Sequence, residues 1–134
     1  MTLILCLDDE NGMMFNHRRQ SRDRVLIAEL LSHVGDGRLY VSPYSAPLFP
    51  ADVKNVTVAD DPCAAADDHA YAFVEDTDPA PHWDRVTDII LYRWNRLYPA
   101  DVTFTQDMTN FHLIETSEFV GSSHDQITKE IWKK

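Results

Sequence analysis

The chain has only two cysteines among its 134 residues, Cys6 and Cys63. Two cysteines cannot build a disulfide framework, and they lack the paired spacing of a metal knuckle. Cys6 lies in an apolar stretch near the start of the chain, where a cysteine usually behaves as a small buried hydrophobic side chain. We therefore expect Cys6 to be a core residue rather than a reactive thiol.

Long hydrophobic runs are also absent. No apolar segment approaches the roughly 20 residues that a membrane-spanning helix needs. The apolar run Leu3–Leu7 is too short for the core of a signal peptide, and no basic segment precedes it. The sequence thus predicts a cytoplasmic protein without a membrane partner, and its length predicts a single domain over residues 1–134.

Positive charge is scarce, with 12 Lys and Arg against 22 Asp and Glu and a net charge of −10. Nucleic-acid-binding proteins depend on basic surface, so this composition argues against a nucleic-acid partner. Residues 17–24 are an exception, because they contain four basic residues and one acid: Arg18, Arg19, Arg22, Arg24 and Asp23. Guanidinium groups bind planar anions through paired hydrogen bonds. This patch predicts a small anionic ligand, although the arginines could instead pair with the carboxylates of residues 8–10.

The hydrophobic pattern predicts an α/β fold with strands at residues 2–7, 38–42, 55–59, 70–74, 87–94, 102–105 and 111–119. A helix is predicted to begin at Ser21 as its N-cap, with Asp23 in the first turn, and to end at Gly35 and Gly37. Residues 8–23 are predicted to form a long connection with a turn at Asn11-Gly12. Long ordered connections are often functional. The order of elements is typical of a mixed, mostly parallel central sheet with flanking helices.

The last segment, residues 124–134, is ambiguous. Ile127 and Ile131 are four residues apart, which suits a helix. The β-branched content and the terminal position suit an edge strand instead. The pattern leaves both structures open.

In this order of segments the chain resembles dihydrofolate reductase along nearly its whole length. The stretch LILCLDDENGMMFN corresponds to the first strand and mobile loop of that family, and GRLYVSPYS and NVTVADD correspond to the strands that follow its first helix. The stretch AYAFVEDTDPAPHWDRV resembles the strand, glycine pair and helix of the cofactor site. The best match is C-terminal, where ADVTF is followed by FHLIETSEF. The resemblance implies a dihydrofolate-reductase-like fold and a carboxylate early in the first helix that holds a pterin, for which Asp23 is the matching residue. Asp23 could instead simply stabilise the first turn of the helix.

The chain departs from the reductase pattern at the cofactor segment. Where the reductases have a glycine pair next to the cofactor pyrophosphate, this chain has Val74-Glu75-Asp76-Thr77-Asp78-Pro79. Carboxylates repel a nearby phosphate by on the order of a few kcal/mol at intermediate dielectric, and proline lacks an N–H donor. We therefore expect a degenerate NADPH site and no NADPH bound in the usual pose.

Three motifs, NGMxFNxRRQSxD, RWNRxYPAD and GSSHxxIT, also resemble a small family of uncharacterised bacterial proteins, some of which carry a ribonuclease Z label. The residues do not support that label. Nucleases of the metallo-β-lactamase type hold two metals with a His-x-His-x-Asp-His cluster, whereas the six histidines of this chain occur singly.

Other groups of residues are candidates for a site. Arg93, Trp94 and Asn95 end a strong strand and could line a cleft, and Asn16 belongs to the same group of predicted ligand-binding residues. The carboxylates of residues 8–10 could hold Mg²⁺, but three consecutive residues rarely converge on one ion. The run Ser122–Asp125 suggests a catalytic triad, yet adjacent residues cannot adopt that geometry. No catalytic residue and no metal site is predicted.

The sequence leaves three functions open. The favoured one is a dihydrofolate-reductase-like protein that binds a small anionic, pterin-like or nucleotide-like ligand. The second is a reductase with a rearranged cofactor site. The third is a protein–protein interaction module that uses residues 8–23 and 93–96. A homodimer is also left open.

Overall fold

The structure is a computed structural model that describes residues 1–134. It contains ten strands: β1 (Thr2–Leu7), β2 (Gly12–Phe15), β3 (Arg18–Arg19), β4 (Leu39–Val41), β5 (Val56–Val58), β6 (Tyr71–Phe73), β7 (Asp88–Arg93), β8 (Val102–Thr103), β9 (His112–Phe119) and β10 (Ile127–Lys133). It also contains two α-helices, α1 (Arg24–Val34) and α2 (Pro62–Ala65), and 3₁₀ turns at Ala46–Leu48 and Ala80–Arg85.

A seven-stranded sheet in the order β5-β4-β6-β1-β7-β10-β9 forms the centre of the molecule. Strand β1 is parallel to β6 and β7, and β4 is parallel to β5 and β6. Strand β10 is antiparallel to both β7 and β9. The predicted mixed, mostly parallel α/β sheet is confirmed.

Both faces of the sheet are covered, which explains why β1 and β7 are continuous apolar runs rather than alternating ones. Leu3 and Leu5 of β1 pack on one face, in a cluster with Cys63 of α2. Ile4 packs on the opposite face with Leu26 and Leu30 of α1. Fully burying a leucine or isoleucine contributes roughly 1.5–3 kcal/mol, so these two clusters hold the helix and the sheet together.

The start of α1 differs from the prediction by two residues. Asp23, and not Ser21, is the N-cap, and its carboxylate accepts hydrogen bonds from the N–H groups of Val25 and Leu26 at 2.9 and 3.2 Å. Both residue types are good caps, so the local sequence did not discriminate between them. The predicted end at Gly35 is confirmed, since Gly35 is the C-cap with a φ of 57°.

The predicted long connection at residues 8–23 is wrong in its interior, because it contains a β-hairpin. Strands β2 and β3 pair antiparallel, and β2 pairs on its other side with β8 to form a second, three-stranded sheet. Asn16 and His17 form the two-residue turn, with φ values of 52° and 61°. Two-residue hairpin turns need this geometry and usually contain glycine, so the Asn-His pair gave little signal.

The two residues of the predicted Asn11-Gly12 turn have separate roles. Asn11, not Gly12, has the positive φ, of 61°. Gly12 is needed for space, since a Cβ there would lie 2.5 Å from Gln20 Nε2 and 2.6 Å from Asp8 Oδ2.

The ambiguous C-terminal segment is a strand, but not an edge strand. Strand β10 lies between β7 and β9, and β9 forms the edge of the sheet. The four-residue spacing of Ile127 and Ile131 fits a strand as well as a helix, because side chains an even number of residues apart share a face.

Neither α-helix has the length and apolar character needed to cross a membrane. Both cysteines are free. Burial, with a smaller contribution from the Glu75 carboxylate, raises the pKa of the half-buried Cys6 well above its usual value. Burial also raises the pKa of Cys63 to about 12. Neither thiol is therefore a ready thiolate nucleophile.

Candidate functional site

The candidate site lies where the central parallel strands end. Asp8 follows β1, Glu75 lies just beyond β6, and Trp94 follows β7. In open α/β sheets, ligands bind in the crevice outside the carboxyl ends of the strands. The hairpin of β2 and β3 and the start of α1 border this edge, so they complete its walls.

Asp23 joins the start of α1 to the turn before β10. Its carboxylate is buried and accepts hydrogen bonds from the N–H groups of Ser122 and Ser123 at 2.9 and 2.8 Å, in addition to the two helix N–H groups. It also lies 3.1 Å from Nδ1 of His124. Burial acts to raise the pKa of Asp23, but these hydrogen bonds outweigh it and hold the pKa well below its usual value. All of these donors belong to the chain itself.

His124 connects three segments that are distant in sequence. Its Nε2 lies 3.1 Å from Ser21 Oγ and 2.9 Å from the Tyr98 hydroxyl. Its ring stacks on Trp94 with 4.5 Å between the ring centroids. The three motif segments noted in the sequence therefore meet at one buried histidine.

The contacts of Ser21, His124 and Asp23 have the connectivity of a catalytic triad, although only His124 belongs to the Ser122–Asp125 run. The two small cavities beside Ser21 each enclose about 10 Å³. Such a space holds about one water molecule. The structure therefore leaves no room for a substrate next to the Ser21 hydroxyl.

Asp8 organises the hairpin rather than a metal. Its carboxylate accepts hydrogen bonds from the N–H groups of Glu10, Gly12 and Tyr98 and from the side chain of Gln20. Burial acts to raise the pKa of Asp8, and the hydrogen bonds lower it by more. No three His, Cys, Asp or Glu side chains lie together in a way that could hold a metal ion.

The arginine patch is divided by the fold. Arg19 forms an ion pair with the buried Glu75, with Nε 3.1 Å from Oε2, and its guanidinium lies 4.4 Å from the centroid of the Tyr44 ring. The sequence had left open that the arginines pair with the carboxylates of residues 8–10, but the ion-pair partner of Arg19 is Glu75. Arg18 and Arg22 are exposed. Asn16 is in the hairpin turn, where its N–H donates to Asp101 at 3.0 Å.

The three predicted ligand-binding residues at the end of β7 contact different parts of the protein. Arg93 pairs with Glu130 at 3.0 Å, whereas Trp94 is buried against His124. Asn95 has a φ of 59°, and its Nδ2 donates to the Gln126 carbonyl and the Thr128 hydroxyl. Of the three, only Trp94 lines the small cavities at the candidate site.

A cavity of about 700 Å³ lies between the hairpin and the segment after β6, and we call it the acidic cavity. Its lining includes Asp76, Asp78 and Asp101 and no lysine or arginine. Its apolar lining includes Met13, Met14, Tyr44 and Phe104. The sequence had indicated that residues 75–78 were acidic, but it gave no sign that Asp101 would join them.

A second cavity of about 480 Å³ lies at the start of α1, and we call it the basic cavity. It is lined by Arg22, Asp23, Arg24, Ile27, Leu48, Ser122 and Ser123. Of the two small cavities, one shares Met13 with the acidic cavity, and the other shares four lining residues with the basic cavity: Arg22, Asp23, Ile27 and Leu48. The Arg19–Glu75 ion pair and Trp94 fill this middle part of the cleft.

The strand order, the hairpin and the cleft at the carboxyl edge define a dihydrofolate-reductase-like fold, and the comparison with solved structures confirms it. The chain is similar to the dihydrofolate reductase of Enterococcus faecalis, solved in complex with NADP(H) and RAB-propyl, with a TM-score of 0.68. The match covers 98% of this chain and 94% of that one at 9% sequence identity, so it shows the shared fold. No protein-family model and no curated protein matches the chain.

Proposed function

We propose that this chain binds a small molecule in the acidic cavity, and that the ligand has a flat apolar body and a positively charged or donor-rich edge of the amidine or guanidine type. Among the ligands that the sequence suggested, this description fits a pterin-like molecule better than a nucleotide. The observation that carries the proposal is the presence of three carboxylates and no lysine or arginine in the lining.

The three carboxylates retain capacity for a ligand. Each uses one oxygen within the chain: Asp76 accepts from the Ser42 hydroxyl at 2.7 Å, Asp78 from the Ala80 N–H at 2.9 Å and Asp101 from the Asn16 N–H. None of them is in an ion pair. A cavity lined by charges of one sign concentrates ligands of the opposite sign.

The remaining lining supports a flat body with polar groups on its rim. Met13, Met14 and Phe104 are buried side chains that offer apolar contact. The Thr77 hydroxyl is buried without a hydrogen-bond partner and belongs to the same lining. Because this oxygen has almost no accessible surface, a ligand would reach it only after a shift of the segment.

The same charges argue against NADP(H) in this place. The segment that corresponds to the cofactor site of the reductases contributes Asp76 and Asp78 to the cavity, and Glu75 is already paired with Arg19. A pyrophosphate would approach carboxylates and find no cation to balance them. The proposal therefore includes a cofactor site that has lost its affinity for a dinucleotide.

Three probes of nearly the same shape test this proposal. Benzamidine is positively charged, benzamide is neutral and benzoate is negative. We expect calorimetric titration to show tighter binding for benzamidine than for benzamide. We expect benzoate to shift none of the amide resonances of the residues that line this cavity. Pterin should also stabilise the fold in a thermal-shift assay, because a ligand that binds only the folded state raises the melting temperature.

Equal affinity for benzamidine and benzamide would contradict the proposed role of the carboxylates. Stabilisation by micromolar NADPH would contradict the proposed loss of the cofactor site.

A further inference from the structure

We propose that the basic cavity is a second ligand site, which binds a small oxyanion group, either a carboxylate or a phosphate. The inference rests on the residues of this cavity alone and does not depend on the function proposed for the acidic cavity.

The two arginines of the cavity have no partner within the chain. Arg22 and Arg24 are exposed, and neither guanidinium takes part in an ion pair. They flank Asp23 in sequence and line the same cavity of about 480 Å³. In a protein with 22 acidic residues and 12 basic ones, two unpaired arginines in one cavity form a local site of positive charge.

The carboxylate of Asp23 offsets only part of this charge, so the lining keeps one unit of net positive charge. Its oxygens already accept hydrogen bonds from the helix N–H groups, from Ser122 and Ser123 and from His124. Hydrogen bonds of this kind hold a carboxylate in place. Because the Asp23 side chain is fully buried while both arginines are exposed, the guanidinium groups are the charges that a ligand can contact.

A serine hydroxyl supplies a further donor. Ser122 Oγ accepts a hydrogen bond from the Arg24 N–H at 2.9 Å, so its own hydrogen is free to point elsewhere. The cavity thus combines two guanidinium groups, which fit carboxylate and phosphate geometry, with a hydroxyl donor.

The walls of the cavity favour an oxyanion on a small apolar body. Ile27 and Leu48 line it beside the arginines. In a protein with a net charge of −10, a long polyanion would be repelled by the acidic residues beyond this patch, whereas a small anion would contact the patch alone. The Arg19–Glu75 pair and Trp94 separate this cavity from the acidic one, so ligands of opposite charge can occupy the two ends of the cleft.

Calorimetric titration with inorganic phosphate and with benzoate, in a phosphate-free buffer of low ionic strength, tests the site. We expect saturable binding of at least one of them below roughly 10 mM, a concentration at which a site of millimolar affinity is filled. Tighter binding of benzoate indicates a carboxylate on an apolar body, and tighter binding of phosphate indicates a phosphate group.

The variant R22Q/R24Q should weaken this binding by about tenfold or more, since each lost charge-assisted hydrogen bond contributes substantially to affinity. The variant R18Q is the matched control. Arg18 is exposed, has no ion-pair partner and does not line the cavity, so its replacement should change the affinity by less than about twofold.

Amide chemical shifts give a second readout that locates the ligand. Saturable shifts at Ser122 and Ser123 that disappear in R22Q/R24Q support the site. The proposal is overturned if neither anion binds, or if R18Q weakens binding as much as R22Q/R24Q, because attraction would then reflect general charge.

Discussion

At the scale of single residues, Asp23 has the largest structural role. It caps α1 and also holds the turn at Ser122–His124. Asp23 and Ser122 are 99 residues apart in the chain. The resemblance to the reductases implies that this carboxylate holds a pterin. In the structure the Asp23 side chain is fully buried and both of its oxygens already accept hydrogen bonds, so we propose that the ligand-facing carboxylates are those of the acidic cavity instead.

The variant D23N tests this role. We expect its free energy of unfolding at neutral pH to fall by about 2 kcal/mol, because the amide replaces one accepting oxygen with a donor that faces N–H groups. The folded-state pKa of Asp23 is lowered, so its contribution to stability is present above the unfolded pKa of about 3.9 and is lost as the pH falls below it. The difference between wild type and D23N should therefore shrink in acid.

Urea denaturation at several pH values between about 7 and 3 measures both effects. The control is D61N. Asp61 also caps a helix with two N–H groups, those of Cys63 and Ala64, but its side chain is 43% exposed and it holds no distant segment of backbone. A loss in D23N no larger than in D61N would contradict the anchoring role of Asp23.

At the scale of elements, the hairpin of β2 and β3 forms the wall that closes the acidic cavity. Met13 and Met14 of β2 and His17 of the turn belong to its lining. Asp8 holds the hairpin in place, because its carboxylate accepts hydrogen bonds from the Gly12 N–H at 2.7 Å and from the Gln20 side chain at 2.9 Å. The shape of the cavity therefore depends on the close packing at Gly12.

The variant G12A should disturb this wall. An added methyl group would lie 2.5 to 2.8 Å from Gln20, Asp8 and Ala100, so the hairpin must shift, at a cost of about 2 kcal/mol. We expect weaker binding of benzamidine as well as lower stability. G35A is the control, because its methyl group meets open space although its positive φ is unfavourable. It should lower stability and leave benzamidine binding unchanged; equal loss of binding in both variants would contradict the role of the hairpin.

The sequence predicted the elements whose signal is local. Strands β1 and β7 were evident because strands buried on both faces are continuous apolar runs, and Gly35 marked the end of α1 through its backbone conformation. The hairpin was missed because Asn16 and His17 adopt a turn that usually contains glycine. The acidic cavity was missed because Asp76 and Asp101 come from segments that are distant in sequence. The pairing of β2 with β8 places the segment of Asp101 beside the hairpin, and no local pattern encodes that contact.

At the scale of the whole molecule, the fold and the charge distribution carry different information. The sheet shares its fold with a dihydrofolate reductase at 9% identity, so the fold alone does not determine the ligand. The net charge of −10 is distributed so that one end of the cleft is acidic and the other has two free arginines. The ligand chemistry that we propose therefore rests on the side chains that line the two cavities and not on the fold.

The most direct test of the central claim is the affinity of benzamidine for three proteins: the wild type, D76N/D78N and D67N. Asp67 matches Asp78 in its local hydrogen bond, to the N–H two residues ahead at 2.9 Å, but lies outside the cavity. We predict that D76N/D78N weakens binding at least about fivefold, which corresponds to about 1 kcal/mol, and that D67N leaves it unchanged. Unchanged affinity in D76N/D78N, or an equal loss in D67N, would contradict a ligand held by the carboxylates of the acidic cavity.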